Sequence, residues 1–153
     1  TVLLLICMFI GGCAGSTTCG IKMFRFQVLA ANARIQVSRL LRPHAVIVAY
    51  YNNRPISEQV IDAVMGFFYL YILCFVVVAG LLGLTGLDLE TALSGAATAI
   101  SNVGPGLGDE IGPAGNFEGL PGFAKWVLCG AMIVGRLELF TVLVMLAPGF
   151  WRR

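Results

Sequence analysis

An all-α membrane protein is the fold this sequence predicts, with long apolar spans flanking one short helix and a glycine-rich turn. Three observations predict it. Hydrophobic residues make up 58% of the 153 residues and charged residues 12%, against about 45–50% and about 25% in soluble domains. A bilayer core of about 30 Å takes about 20 helical residues to cross, and the run from Ala63 to Leu87 contains no charged side chain. Between that run and a second apolar run beginning near Phe123 lie a stretch of small residues, Asp88 to Ile100, and the turn Ser101-Asn102-Val103-Gly104-Pro105-Gly106-Leu107-Gly108.

Taken in order, Thr1 to Ile10 is apolar and helical in character, and with no initiator methionine or leader before it the chain reads as a fragment beginning inside a helix. Gly11, Gly12, Gly15 and Gly20 should break that helix. A phosphate-binding loop would place lysine and a hydroxyl residue directly after the last glycine, whereas Ile21 follows Gly20. Non-helical backbone at membrane depth is tolerated where protein or a water-filled cavity surrounds it, so a loop facing a pore is expected. A plain helix end at the interface is the competing reading.

Phe24 to Leu41 reads as a helix emerging from the membrane, with Arg34, Arg39 and Arg42 near the headgroups and Pro43 ending it. Ala45 to Tyr51 is rich in β-branched and aromatic residues, and Asn52-Asn53 offers a turn before Pro55, which suggests a small hairpin. His44 has no partner nearby in sequence and reads as a linker residue. Ser57 is positioned to cap the next helix, and Glu58 and Asp62 suit its positive N-terminal end. Phe67, Phe68, Tyr69, Tyr71 and Phe75 in that span suggest lipid-facing or packing roles. Ala92, Ser94, Gly95, Ala96, Ala97 and Ala99 in the short helix permit close approach by its neighbours.

Charge placement orients the chain. Lys22, Arg25, Arg34, Arg39, Arg42 and Arg54 lie in a segment without acids, and Arg152-Arg153 closes the chain, which assigns both to the cytoplasm. Asp88, Glu90, Asp109, Glu110 and Glu118 lie in a segment without bases, which belongs outside and attracts cations. A basic segment joined to apolar spans is a cytoplasmic connector rather than a nucleic-acid surface. Cys7, Cys74 and Cys129 sit in apolar runs and act as small hydrophobes. Cys13 and Cys19 lack zinc-site spacing, so neither a disulfide nor a metal cluster is expected. One histidine and scattered acids assemble no nucleophile, base and oxyanion set, which argues against an enzyme.

Span, short helix, turn, span is the order of an ion-channel pore unit. In such a unit backbone carbonyls replace the water shell of a cation, and glycines allow the unusual dihedrals this needs. The C-terminal end of the short helix adds partial negative charge. Taken alone, the octapeptide fits a surface turn equally well. Arg136 and Glu138 interrupt the second apolar run, from about Phe123 to Ala147; Arg136 lies eleven positions after Lys125 and twelve before Pro148, near the middle of that span at about 1.5 Å per residue. A charge there costs about 2.5–3.5 kcal/mol on insertion scales unless it faces water or a partner. Glu138 points to a different face, so an intrahelical pair is not the expected solution.

Gly11-Gly12-Cys13-Ala14-Gly15-Ser16-Thr17 with Gly20-Ile21-Lys22, the turn 101–108, and Gly135-Arg136-Leu137-Glu138-Leu139-Phe140-Thr141 together resemble the Trk-type potassium uptake membrane subunits (TrkH-like) of the Trk/Ktr/HKT cation transporter superfamily. The resemblance runs over the whole chain in the right order. It implies a potassium-channel-like architecture of four span, pore-helix, span repeats, of which this fragment holds the end of repeat three and all of repeat four. Residues 1–42 would be the second helix of repeat three with an intramembrane loop at 11–20, and 43–56 a cytoplasmic linker or hairpin. Residues 57–87 would be the first span of repeat four, 88–108 its pore helix and filter loop, 109–122 an extracellular loop, and 123–153 the second span and cytoplasmic end.

By the same resemblance Gly104 is the filter glycine, with potassium held at the carbonyls of Asn102 and Val103. Gly11, Gly12, Gly15, Ser16, Thr17, Thr18 and Gly20 form the gate loop, and Arg136 projects toward the pore below the filter. Thr18 and Cys19 stand where the family usually has two further glycines, and Thr18 is stiff at its first side-chain torsion. The function implied is potassium transport across the bacterial cytoplasmic (inner) membrane by a multi-pass protein, with no cofactor. The implied partners are a second copy in a homodimer, the lipid bilayer, and a cytoplasmic nucleotide-binding regulatory ring (TrkA/KtrA-like) meeting the basic segment. The alternative is a sodium-coupled solute symporter with broken midplane helices, but here the break lies between a short re-entrant helix and a span. A purely structural scaffold would leave Gly104 and Arg136 without a reason.

Overall fold

The computed structural model describes residues 2–13, 16, 19–42, 50, 51, 54–108 and 110–137. Thr1, Gly15, Thr17, Thr18, His44, Asp109, Glu138 and the expected continuation of the last span to residue 153 lie outside the described residues. The described chain is mostly helical: α1 Val2–Phe9, α2 Met23–Leu41, a short antiparallel pair β1 Tyr50–Tyr51 and β2 Arg54–Pro55, then α3 Glu58–Gly83, α4 Leu89–Ser101 and α5 Gly122–Arg136.

Among the described helices only α3, with 26 residues, is long and apolar enough to cross a membrane. Much of it is open to the surroundings: Met65, Tyr69, Ile72, Val76 and Val77 are exposed, and Val64, Phe67, Tyr71 and Leu82 are buried. In water so much exposed apolar surface would be costly, whereas lipid or neighbouring helices accept it. The aromatic residues of this span therefore divide. Tyr69 points away from the core and Tyr71 into it. Ser57 occupies the N-cap position but makes no side-chain capping bond. At the other end Gly86, with φ 83°, donates to the Gly83 carbonyl at 3.1 Å and turns the chain.

α4 is the inverse of α3. Its 13 residues are too few to span a bilayer, yet Thr91, Ala92 and every residue from Ser94 to Ser101 are buried. Asp88 starts it, Oδ2 accepting from the Glu90 amide at 3.3 Å, and Asp88 O accepts from Ala92 at 2.8 Å. Small side chains let three neighbours close in. A Cβ on Gly95 would stand 3.3 Å from Ile111 Cδ1, 3.6 Å from Leu82 Cδ1 and 3.9 Å from Leu128 Cδ2. α3, the segment after the turn, and α5 thus meet on one face of α4.

α5 turns buried Ala124, Leu128 and Ala131 inward. Near its end Gly135 lies so close to the Ile100 carbonyl that no Cβ fits between them. Within the described residues the helix stops at Arg136, where Leu137 takes φ −83°, ψ 6°. Arg136 therefore sits in the last turn of a described helix, and residues 138–153, the remainder of the expected span, lie outside the described residues.

The Gly135 contact yields a paired prediction. Gly135→Ala should destabilise the intact protein in detergent by about 1–3 kcal/mol through overpacking. Gly130→Ala, with open space around its Cβ, should be neutral or stabilising by up to about 1 kcal/mol from helix propensity. Thermal unfolding of the two variants checks this, and equal effects would contradict the close approach.

Candidate functional site

The C-terminus of α4 is built by hydrogen bonds that all run inward. Asn102 leaves the helix in the left-handed conformation, φ 51°, ψ 44°, a region asparagine tolerates better than most residues. Its amide donates to the Ala99 carbonyl at 3.3 Å, and the Val103 amide donates to the Thr98 carbonyl at 3.1 Å. This is the paired-bond helix ending usually completed by glycine. Two of the helix's last carbonyls are thereby engaged, so the negative end expected of α4 is continued by carbonyls of the turn itself.

The next donors also turn toward α4. Gly104, at φ 114°, donates its amide to Thr98 Oγ1 at 3.0 Å. Pro105 has no N–H, and Gly106 donates to the Ile111 carbonyl at 2.7 Å. Leu107 donates to Ser94 Oγ at 3.0 Å, while the Ser94 hydroxyl donates to the Leu107 carbonyl at 3.2 Å. Every backbone donor from 102 to 107 has a partner. Among the described residues, no hydrogen bond is accepted by the carbonyls of Asn102, Val103 or Gly104, and all three residues are exposed. A row of open carbonyls with no competing N–H is suited to an unhydrated monovalent cation and unsuited to an anion.

Gly104 is required by its backbone rather than by crowding. A Cβ there would meet nothing within 4 Å, but φ 114° is a conformation L side chains rarely adopt. Two side-chain tethers fasten the turn to its surroundings. Asn102 Nδ2 donates to the Met132 carbonyl of α5 at 3.1 Å, and the Tyr71 and Ser101 hydroxyls lie 2.7 Å apart.

The glycine-rich loop leaves α1 and returns to α2 through a closed neck. Ile21 donates to the Phe9 carbonyl at 3.0 Å, Gly11 to the Ile21 carbonyl at 3.0 Å, and Met23 to the Gly12 carbonyl at 3.1 Å. A Cβ on Gly11 would stand 2.6 Å from the Cys19 carbonyl, and Gly20 has φ 84°, so both glycines serve the neck. Gly12 and Ser16 are partly buried, and the Ser16 amide donates to the Cys13 carbonyl at 3.0 Å. Arg136 reaches this loop, Nη1 donating to Cys19 Sγ at 3.5 Å. Cys19 thus presents its side chain to the arginine, which a glycine at that position would not.

The turn, the end of α5 and the described part of the loop are therefore neighbours in sequence-distant pairs: Asn102 with Met132, Ile100 with Gly135, Cys19 with Arg136. Sequence reading missed Ser94, Thr98, Tyr71 and Ser101 as builders of this site. For Ser94, Thr98 and Ser101 the signal was available: hydroxyls on a helix rich in alanine must find hydrogen-bond partners once buried.

Residues 1–152 match the family model described as TrkH, cation transport protein. The chain is 53% identical over 148 residues to the Trk system potassium uptake protein TrkI of Halomonas elongata, covering 95% of this chain and 30% of that protein. It is 42% identical over 151 residues to the Trk system potassium uptake protein TrkH of Escherichia coli K12, covering 99% and 31%. Its fold superposes with a TM-score of 0.87 on the crystal structure of the potassium transporter TrkH from Vibrio parahaemolyticus, at 43% identity over 99% of this chain and 32% of that one. The chain thus spans about a third of the length of the relatives it matches.

The Thr98 tether predicts a local exchange phenotype. Thr98→Val removes the acceptor of the Gly104 amide at little change in volume, at a cost of about 0.5–1.5 kcal/mol for one net hydrogen bond. Hydrogen–deuterium exchange of the intact protein should quicken across 102–108 in Thr98→Val and stay near the parent in Thr98→Ser.

Proposed function

The chain belongs to the TrkH family of cation transport proteins, and on that premise we propose that it is the C-terminal part of a multi-pass potassium transporter of the bacterial cytoplasmic membrane. The observation that carries this reading is the polarity of the turn: donors from 102 to 107 are consumed, while the carbonyls of Asn102, Val103 and Gly104 accept none among the described residues. Potassium is the transported ion, and these carbonyls supply one quarter of its selectivity filter. α4 is the pore helix, α3 the first span of the fourth repeat, and α5 the beginning of the second.

Selectivity belongs to the turn and gating to the loop beneath it. Gly11, Gly12, Ser16 and Gly20, with Gly15, Thr17 and Thr18 outside the described residues, form the gate. Arg136 supplies a fixed positive charge beside it, a placement its contact with Cys19 supports. The relatives carry the name of a multi-component system, which fits a second copy and a cytoplasmic nucleotide-binding ring as partners, the latter meeting the basic stretch from Lys22 to Arg54. Acidic residues from Asp88 to Glu118 raise the local cation concentration at the outer mouth.

Potassium uptake by the full-length parent tests the reading in cells lacking their own uptake systems. Gly104→Ser should lose the preference for potassium over sodium, because a side chain at that φ distorts the carbonyl row. Arg136→Ala should raise potassium flux severalfold. If Gly104→Ser leaves ion preference unchanged, the filter assignment fails and the sodium-coupled symporter takes its place.

A further inference from the structure

Tyr71 presents a buried hydroxyl that ion coordination by the turn does not use. The residue is 2% exposed. Its ring is held edge-on by Phe9, with centroids 6.0 Å apart, and lies tilted against Phe67 at 5.7 Å. Its phenol oxygen lies 2.7 Å from Ser101 Oγ, itself buried. Ser101 is the last residue of α4 and directly precedes Asn102. Phe9 is the last residue of α1, and its carbonyl accepts the Ile21 bond that closes the neck of the loop. One side chain of α3 therefore touches both the residue that enters the carbonyl row and the residue that anchors the loop.

A phenylalanine would fill the same apolar space, so packing alone does not require the hydroxyl. A buried O–H is retained at a desolvation cost that only a well-placed partner offsets. The Thr98 and Ser94 bonds fasten the turn to α4, but they do not fix α4 itself relative to the span. The Tyr71–Ser101 bond does so at the one helical residue whose displacement is passed straight to Asn102. A coordinating site tolerates only about 0.5 Å of misplacement in its ligands.

We propose that Tyr71 is a positioning residue for cation discrimination, its hydroxyl bond to Ser101 fixing the end of α4 against α3 and with it the carbonyls of Asn102, Val103 and Gly104. The proposal rests on reading 102–104 as the ion-coordinating row. It makes preference among cations, rather than throughput, the quantity that depends on Tyr71.

The test compares potassium and sodium uptake by the full-length parent carrying Tyr71→Phe, Ser101→Ala, both together, Ser101→Thr or Gly104→Ser, with the amount of each protein in the membrane measured alongside. Tyr71→Phe should insert at the parental level and lower the potassium-over-sodium preference by about threefold to tenfold, the range of one net hydrogen bond. Ser101→Ala should match it, the double variant should lose no more than either single one, and Ser101→Thr should keep most of the preference. Unchanged preference in Tyr71→Phe while Gly104→Ser abolishes it overturns the positioning role and leaves the filter reading standing. Reduced uptake at parental preference also overturns it, since that is what a packing role alone would give. If Gly104→Ser too leaves preference unchanged, the filter reading itself falls and the proposal falls with it.

Discussion

Everything near the site depends on where six consecutive residues send their backbone hydrogen bonds. From Asn102 to Leu107 each N–H is bound by α4 or by Ile111, and Pro105 has none to bind. A turn that satisfied its donors with its own carbonyls would be as stable and chemically inert. Here Thr98 and Ser94 act as acceptors in place of those carbonyls, so the turn holds its shape and keeps three oxygens open. Buried polar groups are normally paired; the unusual feature is that one side of the backbone is paired and the other is left exposed.

That arrangement requires the helix carrying the acceptors to be buried on nearly every side. α4 achieves this through residue size: Ala92, Ala96, Ala97 and Ala99 are at most 2% exposed, and Gly95 admits Ile111, Leu82 and Leu128 at van der Waals range. The same close packing brings Gly135 against the Ile100 carbonyl and Asn102 onto Met132. Arg136 follows directly, so its position is set by backbone contact with α4, and its guanidinium meets the loop at Cys19. Tightly packed elements transmit displacement rather than absorb it, which gives the turn and the loop a short physical connection through the end of α5 and a second through Tyr71 and Phe9.

The outer surface follows different rules. α3 exposes Tyr69, Ile72, Val76 and Val77, and α1 exposes Val2, Leu3, Leu4 and Ile6. Apolar faces of this kind are suited to lipid or to packing against other helices. In the first turn of α2, Arg25 stacks over the Phe67 ring with its guanidinium carbon 3.7 Å from the centroid, joining α2 to α3.

The sequence by itself determined the class and the order of elements. Composition and the uncharged run from Ala63 to Leu87 call for a bilayer-length helix, and glycine density at 11–20 and 104–108 calls for breaks, because these are local properties of the chain. The left-handed Asn102, the hydroxyl acceptors at Thr98 and Ser94 and the Tyr71–Ser101 bond were decided only by tertiary structure. Each depends on which residues from distant parts of the chain are brought within about 3 Å, the range of a hydrogen bond. A small residue in a sequence permits close approach, but only the packed fold determines what approaches it.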